Sequence, residues 1–413
     1  MKQPTDKDPF AALRITEFRN FSIARFLFIM GLRMMGTLVG WWVYELTNDP
    51  LALGLIGLSE VIPAVSMSLY AGHVVDQNNR RTMVLRSVVA YTLLVLILFL
   101  ISGGFFMKPA SNTPLLTGIY TVIFLTGLVR AFSGPSFGAI ISQIVPTPKL
   151  ANATTWTQSI WLMASVTGHS LAGFMIVGFG ISGTLFFIVL QLLLAALIFN
   201  TIGSKPTPVQ NDKKTWDSVK EGIRFVWTTK EVLGALTLDL FAVLFGGAVA
   251  LVPVFAKDIL QVGPIGFGWL NAAADFGAIF CVILLTVFPL QKKQGKVLLF
   301  AVGGFGLSII LFGVSKLFWL SFIALFIGGA LDGISIVVRG TILQLKTPDA
   351  LRGRVMSVNS MFINSSNELG QFESGVAARM LGVVPSVVFG GCITLFVVIL
   401  TWFKSPSLRK LEY

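Results

Sequence analysis

Gly72-His73-Val74-Val75-Asp76-Gln77-Asn78-Asn79-Arg80-Arg81 is a short polar island between two long apolar runs, Ala52 to Val75 and Thr82 to Phe106. Each run exceeds the roughly 20 apolar residues that a helix needs to cross the hydrocarbon of a bilayer. The island therefore reads as a tight loop joining two membrane helices. Asp76 near one helix end and Arg80 and Arg81 across the turn can pair at the membrane boundary, where charge-assisted hydrogen bonds are strong. Such a pair acts as a latch, held in one conformation and released in another. Arg80 and Arg81 also satisfy the preference of cytoplasmic loops for basic residues without any latch.

The rest of the chain fits this frame. Its 413 residues are 54% hydrophobic and only 12% charged, and its mean hydropathy is +0.82. A soluble domain of this size cannot hide so much apolar surface, so the expected class is an all-α integral membrane protein. The net charge of +12 does not indicate nucleic acid, because the basic residues are spread over short loops instead of forming one stripe with interleaved aromatics. Cys281 and Cys392 both lie inside apolar runs, which excludes a disulfide framework and metal-ligand spacing. The polar segment from Met1 to Glu17 precedes a first apolar run too long for a signal-peptide core.

Counting apolar runs predicts twelve transmembrane helices. Basic residues such as Arg14, Arg19, Arg80, Arg81, Lys149, Lys205, Lys292, Lys293, Arg352, Arg354, Lys404 and Arg409 fall on one side of that count. Both termini are therefore expected in the cytoplasm of a multi-pass protein of the cell inner membrane. The longest polar stretch separates a six-helix half, 1–202, from a second, 231–413, with a cytoplasmic linker at 203–230. In the linker, Trp216, Val219, Ile223, Val226 and Trp227 recur at helical spacing among lysines. That pattern is an amphipathic helix, lying on the membrane surface or buried against the bundle.

The halves carry a faint repeat, the mark of transporters built from duplicated units. Val145-Pro146-Thr147-Pro148-Lys149-Leu150 follows the fourth run and Lys346-Thr347-Pro348-Asp349-Ala350-Leu351-Arg352-Gly353-Arg354 the tenth. Gln291-Lys292-Lys293-Gln294-Gly295-Lys296 is a worn copy of the opening loop, without its aspartate.

With these residues in place, the chain resembles the major facilitator superfamily. Gly72, Asp76, Arg80 and Arg81 take the positions of that family's signature loop, and Asn79 stands where the family has glycine. Phe10-Ala11-Ala12-Leu13, Phe18-Arg19-Asn20-Phe21, the stretch from Gly127 to Pro135 with Arg130, and Glu221-Gly222-Ile223-Arg224 resemble the bacterial siderophore-exporter branch. Gly168-His169-Ser170-Leu171-Ala172-Gly173 resembles the exporter motif of the superfamily in degraded form, with His169 in place of its proline. The resemblance implies two six-helix pseudo-repeats around a central cavity, and a secreted metabolite as cargo.

Ionisable groups at membrane depth cost roughly 2.5 to 3.5 kcal/mol each on insertion scales and mark pathways. The central set is Arg33, Glu60, Arg130, Asp275, Asp332 and Glu368, with Asp239, Arg339 and Glu373 nearer the ends of their spans. Arg33 and Glu60 lie at similar depth on consecutive helices, which allows an ion pair, either permanent or broken by substrate. Glu368 and Glu373 lie in Asn364 to Gly375, the most polar stretch of any span, which suits a cavity wall. Arg33, Arg130 and Arg339 are thus the candidates for holding an anionic small molecule, and Glu60, Asp332, Glu368 and Glu373 for carrying protons.

No nucleophile motif or phosphate-cradling loop is present, so no enzyme, catalytic residue, metal or cofactor is expected. The expected function is proton-coupled export of a small anionic metabolite such as a siderophore by a monomer that binds the lipid bilayer and no nucleic acid. A multidrug exporter of hydrophobic compounds, a siderophore importer and a non-transporting sensor or scaffold are the alternatives.

Overall fold

A computed structural model describes residues 8–104, 112–205, 215–288, 290, 292–348 and 351–412. It is all-helical among these residues. In chain order the helices are α1 (Thr16–Thr47), α2 (Pro50–Gln77), α3 (Arg80–Ser102), α4 (Asn112–Ile144), α5 (Leu150–Asn200), α6 (Thr215–Thr228) and α7 (Lys230–Gly246). Two short turns, a 3-10 turn Ala248–Leu251 and α8 (Val252–Val254), lead into a π turn Phe255–Ile259. Then come α9 (Gly263–Val287), α10 (Gln294–Val314), α11 (Phe318–Lys346), α12 (Arg352–Leu381), α13 (Val383–Lys404) and the short α14 (Pro406–Arg409).

Ten stretches among the described residues are long and apolar enough to cross a membrane. One of them, Thr147–Asn200, is far too long for a single crossing at 1.5 Å per residue. Gly180 breaks it with φ +68° and ψ −176°, a conformation open essentially to glycine alone. Both ends of α5 meet the start of the chain, so α5 doubles back at Gly180. At one end the Asn152 Oδ1 accepts from the Ala12 amide, and at the other Asn20 donates to the Thr201 hydroxyl. Polar α12 is not among the ten apolar stretches.

Two cores hold the bundle, one centred on the first half and continuing at the far end into Phe255, Phe267, Phe312 and Leu325, the other within the second half. In the first, Phe21 packs edge-on against Phe199 at 6.0 Å and Phe28 stacks on Phe137 at 5.2 Å. These rings pin α1, α4 and the second arm of α5 together. In the second, Val232, Leu236, Leu298, Val338 and Ile342 are buried against one another. The linker helix α6 belongs to this half: Val226 is buried in its core, Glu221 pairs with Arg354, and Gly222 faces the Arg354 backbone. Trp227 remains 63% exposed, so the helix has one face on the bundle and one outward.

Among the described residues, the close backbone contacts between the halves lie toward the end remote from the chain termini. Along one seam α2 lies on α12: a Cβ on Gly54 would sit 3.1 Å from Gly375 Cα, and one on Gly57 would sit 2.7 Å from the Glu368 carbonyl oxygen. Along the other seam α5 lies on α9: a Cβ on Gly173 would be 2.4 Å from the Pro264 carbonyl oxygen, and one on Gly268 would be 2.5 Å from that of His169. Small residues allow this approach of backbones, as in other membrane bundles. Three polar contacts complete the closure. Tyr44 donates to Asp258, Lys257 Nζ donates to Asn48 Oδ1 at 2.7 Å, and Arg379 lies 3.5 Å from Asp49.

Toward the terminal end the halves diverge. Thr154, Thr155 and Gln158 on α5 and Ser360, Asn364 and Asn367 on α12 are exposed there. Exposed amides and hydroxyls on membrane helices face water, not lipid. A cleft between the two halves, open at the terminal end, is where such polar exposure belongs in a membrane bundle.

Candidate functional site

Three of the mid-membrane charges meet where the halves first touch. Arg130 on α4 reaches two carboxylates: its Nη1 is 2.7 Å from Glu60 Oε1 on α2 and 2.6 Å from Glu368 Oε1 on α12. Glu60 belongs to the first half and Glu368 to the second, so one guanidinium ties the halves together. The Glu368 side chain is only 7% exposed, against 35% for Arg130 and 25% for Glu60. Gln371, one turn further along α12, donates to Glu368 Oε2 at 3.1 Å. Gly127 makes room for the group, since a Cβ there would lie 2.3 Å from the Glu60 carbonyl oxygen.

Arg33 does not pair with Glu60, the partner that equal depth on consecutive helices allowed. Its guanidinium lies over the ring of Trp161 on α5, 4.9 Å from the centroid. Three carboxylates surround it without a direct ion pair: Asp275 on α9 and Glu368 on α12 from the second half, and Glu60 from its own. Equal depth cannot settle which neighbours meet, because helix rotation about its own axis decides that, and Glu60 faces α4.

The other candidates are dispersed. Arg339 pairs with Asp239 on α7, both buried within the second half, so it faces its own half's interior instead of sharing a path with Asp332. Asp332 lies on α11 near Cys281 of α9, and no hydrogen bond or ion pair to it is formed among the described residues. Glu373 sits on α12 beside Ser374, whose hydroxyl donates to the Gly247 carbonyl at 3.1 Å.

The loop Gly72 to Arg81 caps the terminal end of the first half. Gly72 and Asp76 belong to the backbone of α2, and the Asp76 side chain, the acidic member of the expected latch, lies outside the described residues. Arg80 Nη1 donates to the Ala139 carbonyl at 2.9 Å, and Arg81 donates to the carbonyls of Ile202 at 2.8 Å and Asn200 at 2.7 Å. Cations at the carbonyl ends of helices are favoured by the helix dipole as well as by the hydrogen bonds. Both arginines thereby hold α4 and α5 to α3 within one half.

Two residues that sequence reading left without a role, Asp275 and Ser165, meet at the other seam. Ser165 Oγ donates to Asp275 Oδ2 at 2.6 Å. A serine in an apolar run gives no signal by itself, and only the packing of α5 on α9 shows its function. Among the described residues no group of three or more His, Cys, Asp or Glu side chains converges as a metal site would require.

This fold and this charged waist are those of a secondary transporter, and comparison with known proteins agrees. The chain belongs to the major facilitator family described as transmembrane secretion effectors, whose profile matches residues 7–412. The enterobactin exporter of Shigella boydii is 22% identical over 398 residues, covering 95% of this chain and 92% of that protein. An uncharacterised major facilitator transporter of Bacillus subtilis is 23% identical over 376 residues, covering 85% and 84%. Among solved structures, a nucleoside transporter superposes with a TM-score of 0.74 at 13% identity, covering 94% of this chain and all of that one. A D-xylose–proton symporter does so with 0.74 at 11% identity, covering 98% and 100%. The chain is thus a multi-pass membrane transporter of small molecules, and neither family nor fold is that of an enzyme.

Proposed function

We propose that this chain exports a small anionic metabolite, of which a siderophore such as enterobactin is the leading candidate, across a bacterial inner membrane in exchange for protons. In this reading α5 supplies two crossings and α12 one, giving twelve spans with both termini cytoplasmic, and the described state faces the cytoplasm. The observation that carries the reading is the bridge from Glu60 through Arg130 to Glu368 at the apex of the cavity.

Opening the far side requires α12 to leave α2, which takes Glu368 away from Arg130. Arg130 keeps Glu60, its partner within the half, but Glu368 loses its counter-ion. Stranding one member of a buried ion pair costs about 3 to 5 kcal/mol, which disfavours the open state by two to three and a half decades at about 1.4 kcal/mol per decade. A proton on Glu368 removes that penalty. Arg130, relieved of one carboxylate, gains capacity for an anionic substrate. Proton uptake and reorientation are thus linked through one guanidinium. Export direction follows the exporter relatives, and the cationic centre at the cavity apex suits an anion better than a lipophilic cation.

The test is secretion of enterobactin by a strain lacking its own exporter. This chain should restore it, the Arg130→Ala variant should not, and a protonophore should abolish it. Unrestored secretion by the native chain at normal expression would overturn the substrate assignment.

A further inference from the structure

We propose that Asp275 is a second proton-exchanging group, held across the α5–α9 seam by Ser165 and His169, whose protonation lets that seam part; this rests on the reading of the chain as a proton-coupled transporter. One face of α5 presents Trp161, Ser165, Gly168 and His169, spaced by four, seven and eight residues as a helix stripe requires. Arg33 runs along that stripe. Its guanidinium lies over Trp161, and a Cβ on Gly168 would fall 2.7 Å from Arg33 Cβ. Asp275 enters the same stripe from the opposite half: Ser165 donates to its Oδ2 at 2.6 Å, and His169 Nε2 lies 3.8 Å from that oxygen. Thr37 Oγ1 is 2.7 Å from His169 Nδ1. With Thr37 as the donor, the neutral ring carries its hydrogen on Nε2, toward Asp275.

The charged and titratable groups facing Asp275 are Arg33 from α1 and His169 from α5. From α11, Asp332 lies against Cys281 instead, and Asp258 of the π turn is held by Tyr44. Everything that receives Asp275 belongs to the first half, while Asp275 itself belongs to the second. Parting of the seam therefore removes its donor and its counter-charge together. A bare carboxylate at this depth is costly. Transfer of one proton from cavity water to Asp275 neutralises it, and Arg33 keeps its positive charge for the substrate anion. The second helix of one half meets the fifth of the other at both seams, so this group is the pseudo-symmetric counterpart of the Glu60–Arg130–Glu368 bridge.

The test needs no substrate. Spin labels on Thr113→Cys and Lys316→Cys, exposed at the far ends of the two halves, report their separation in the full chain in lipid nanodiscs, with Cys281 and Cys392 replaced by serine. In otherwise native protein the separation should increase as pH falls from about 8 to about 5, a range in which buried carboxyls titrate. Asp275→Asn should lose one of the two protonation steps, leaving a shallower transition with a displaced midpoint that Glu368 alone sets, and Ser165→Ala should retain the native steepness with a displaced midpoint. Native protein insensitive to pH, an Asp275→Asn variant that responds like native, or an unmoved Ser165→Ala midpoint each overturns the proposal. Failure of the enterobactin assay alone would leave this result standing and would sink only the choice of cargo.

Discussion

Gly57 and Glu368 face each other so closely that a methyl group on Gly57 would lie 2.7 Å from the Glu368 carbonyl oxygen. Contacts under 3.0 Å force a shift, and here the obstacle is helix backbone, which cannot swing aside as a side chain would. Gly57→Val should therefore prevent closure of the far end while leaving each half folded. The spin-label separation between Thr113→Cys and Lys316→Cys at the far end should lengthen, and transport should fall at least tenfold. Full transport by the variant would show that the seam need not close during the cycle.

Glu368→Gln retains the shape of the bridging side chain but removes its charge. Losing a charge-assisted hydrogen bond of about 1.5 to 3 kcal/mol should shift the resting population toward the far-open form by roughly ten- to a hundredfold. Substrate counterflow should persist while proton-driven accumulation disappears. Retained coupling to a pH gradient would place the proton elsewhere.

Arg339 separates two roles by stability. With Asp239 its one charged partner among the described residues, both groups buried, Asp239→Ala should lower stability by about 3 to 5 kcal/mol, and joint replacement of the pair by Leu and Met should recover most of the loss. Thermal unfolding in detergent measures both. If transport by the stable double variant is native-like, Arg339 holds the second half together and does not hold substrate.

Arg81 makes three hydrogen bonds to the carbonyl end of α5, two to Asn200 and one to Ile202. Arg81→Ala should lower stability of the first half by roughly 1 to 3 kcal/mol. Asp76→Asn, by contrast, should lower turnover and leave substrate affinity nearly intact if Asp76 is part of a latch. Unchanged transport by Asp76→Asn would reduce the loop to a topological signal.

Much of this architecture is legible along the chain, because hydrocarbon imposes a length and an apolarity on every crossing. The runs on either side of Gly72 to Arg81 correspond to α2 and α3, and the polar run Asn364 to Gly375 lies in α12 at the cavity apex. The central charges could be named in advance because burying them without purpose is too costly. Ser165 could not be named, since a hydroxyl in a membrane helix usually bonds its own backbone, as Thr167 does to the Met163 carbonyl at 2.7 Å.

Partnership among the charges was decided by tertiary structure alone. Depth can be counted from the end of a helix, and by depth Arg33 suits Glu60. Rotation of each helix about its axis, set by where glycines such as Gly57, Gly127, Gly168 and Gly268 let neighbours approach, gave Glu60 to Arg130, Arg339 to Asp239 and Asp275 to the Ser165 stripe. The order and chemistry of the spans thus follow from local transfer energies that each segment meets on its own. The two seams, and the carboxylates that cross them, follow from close packing between segments far apart in the chain.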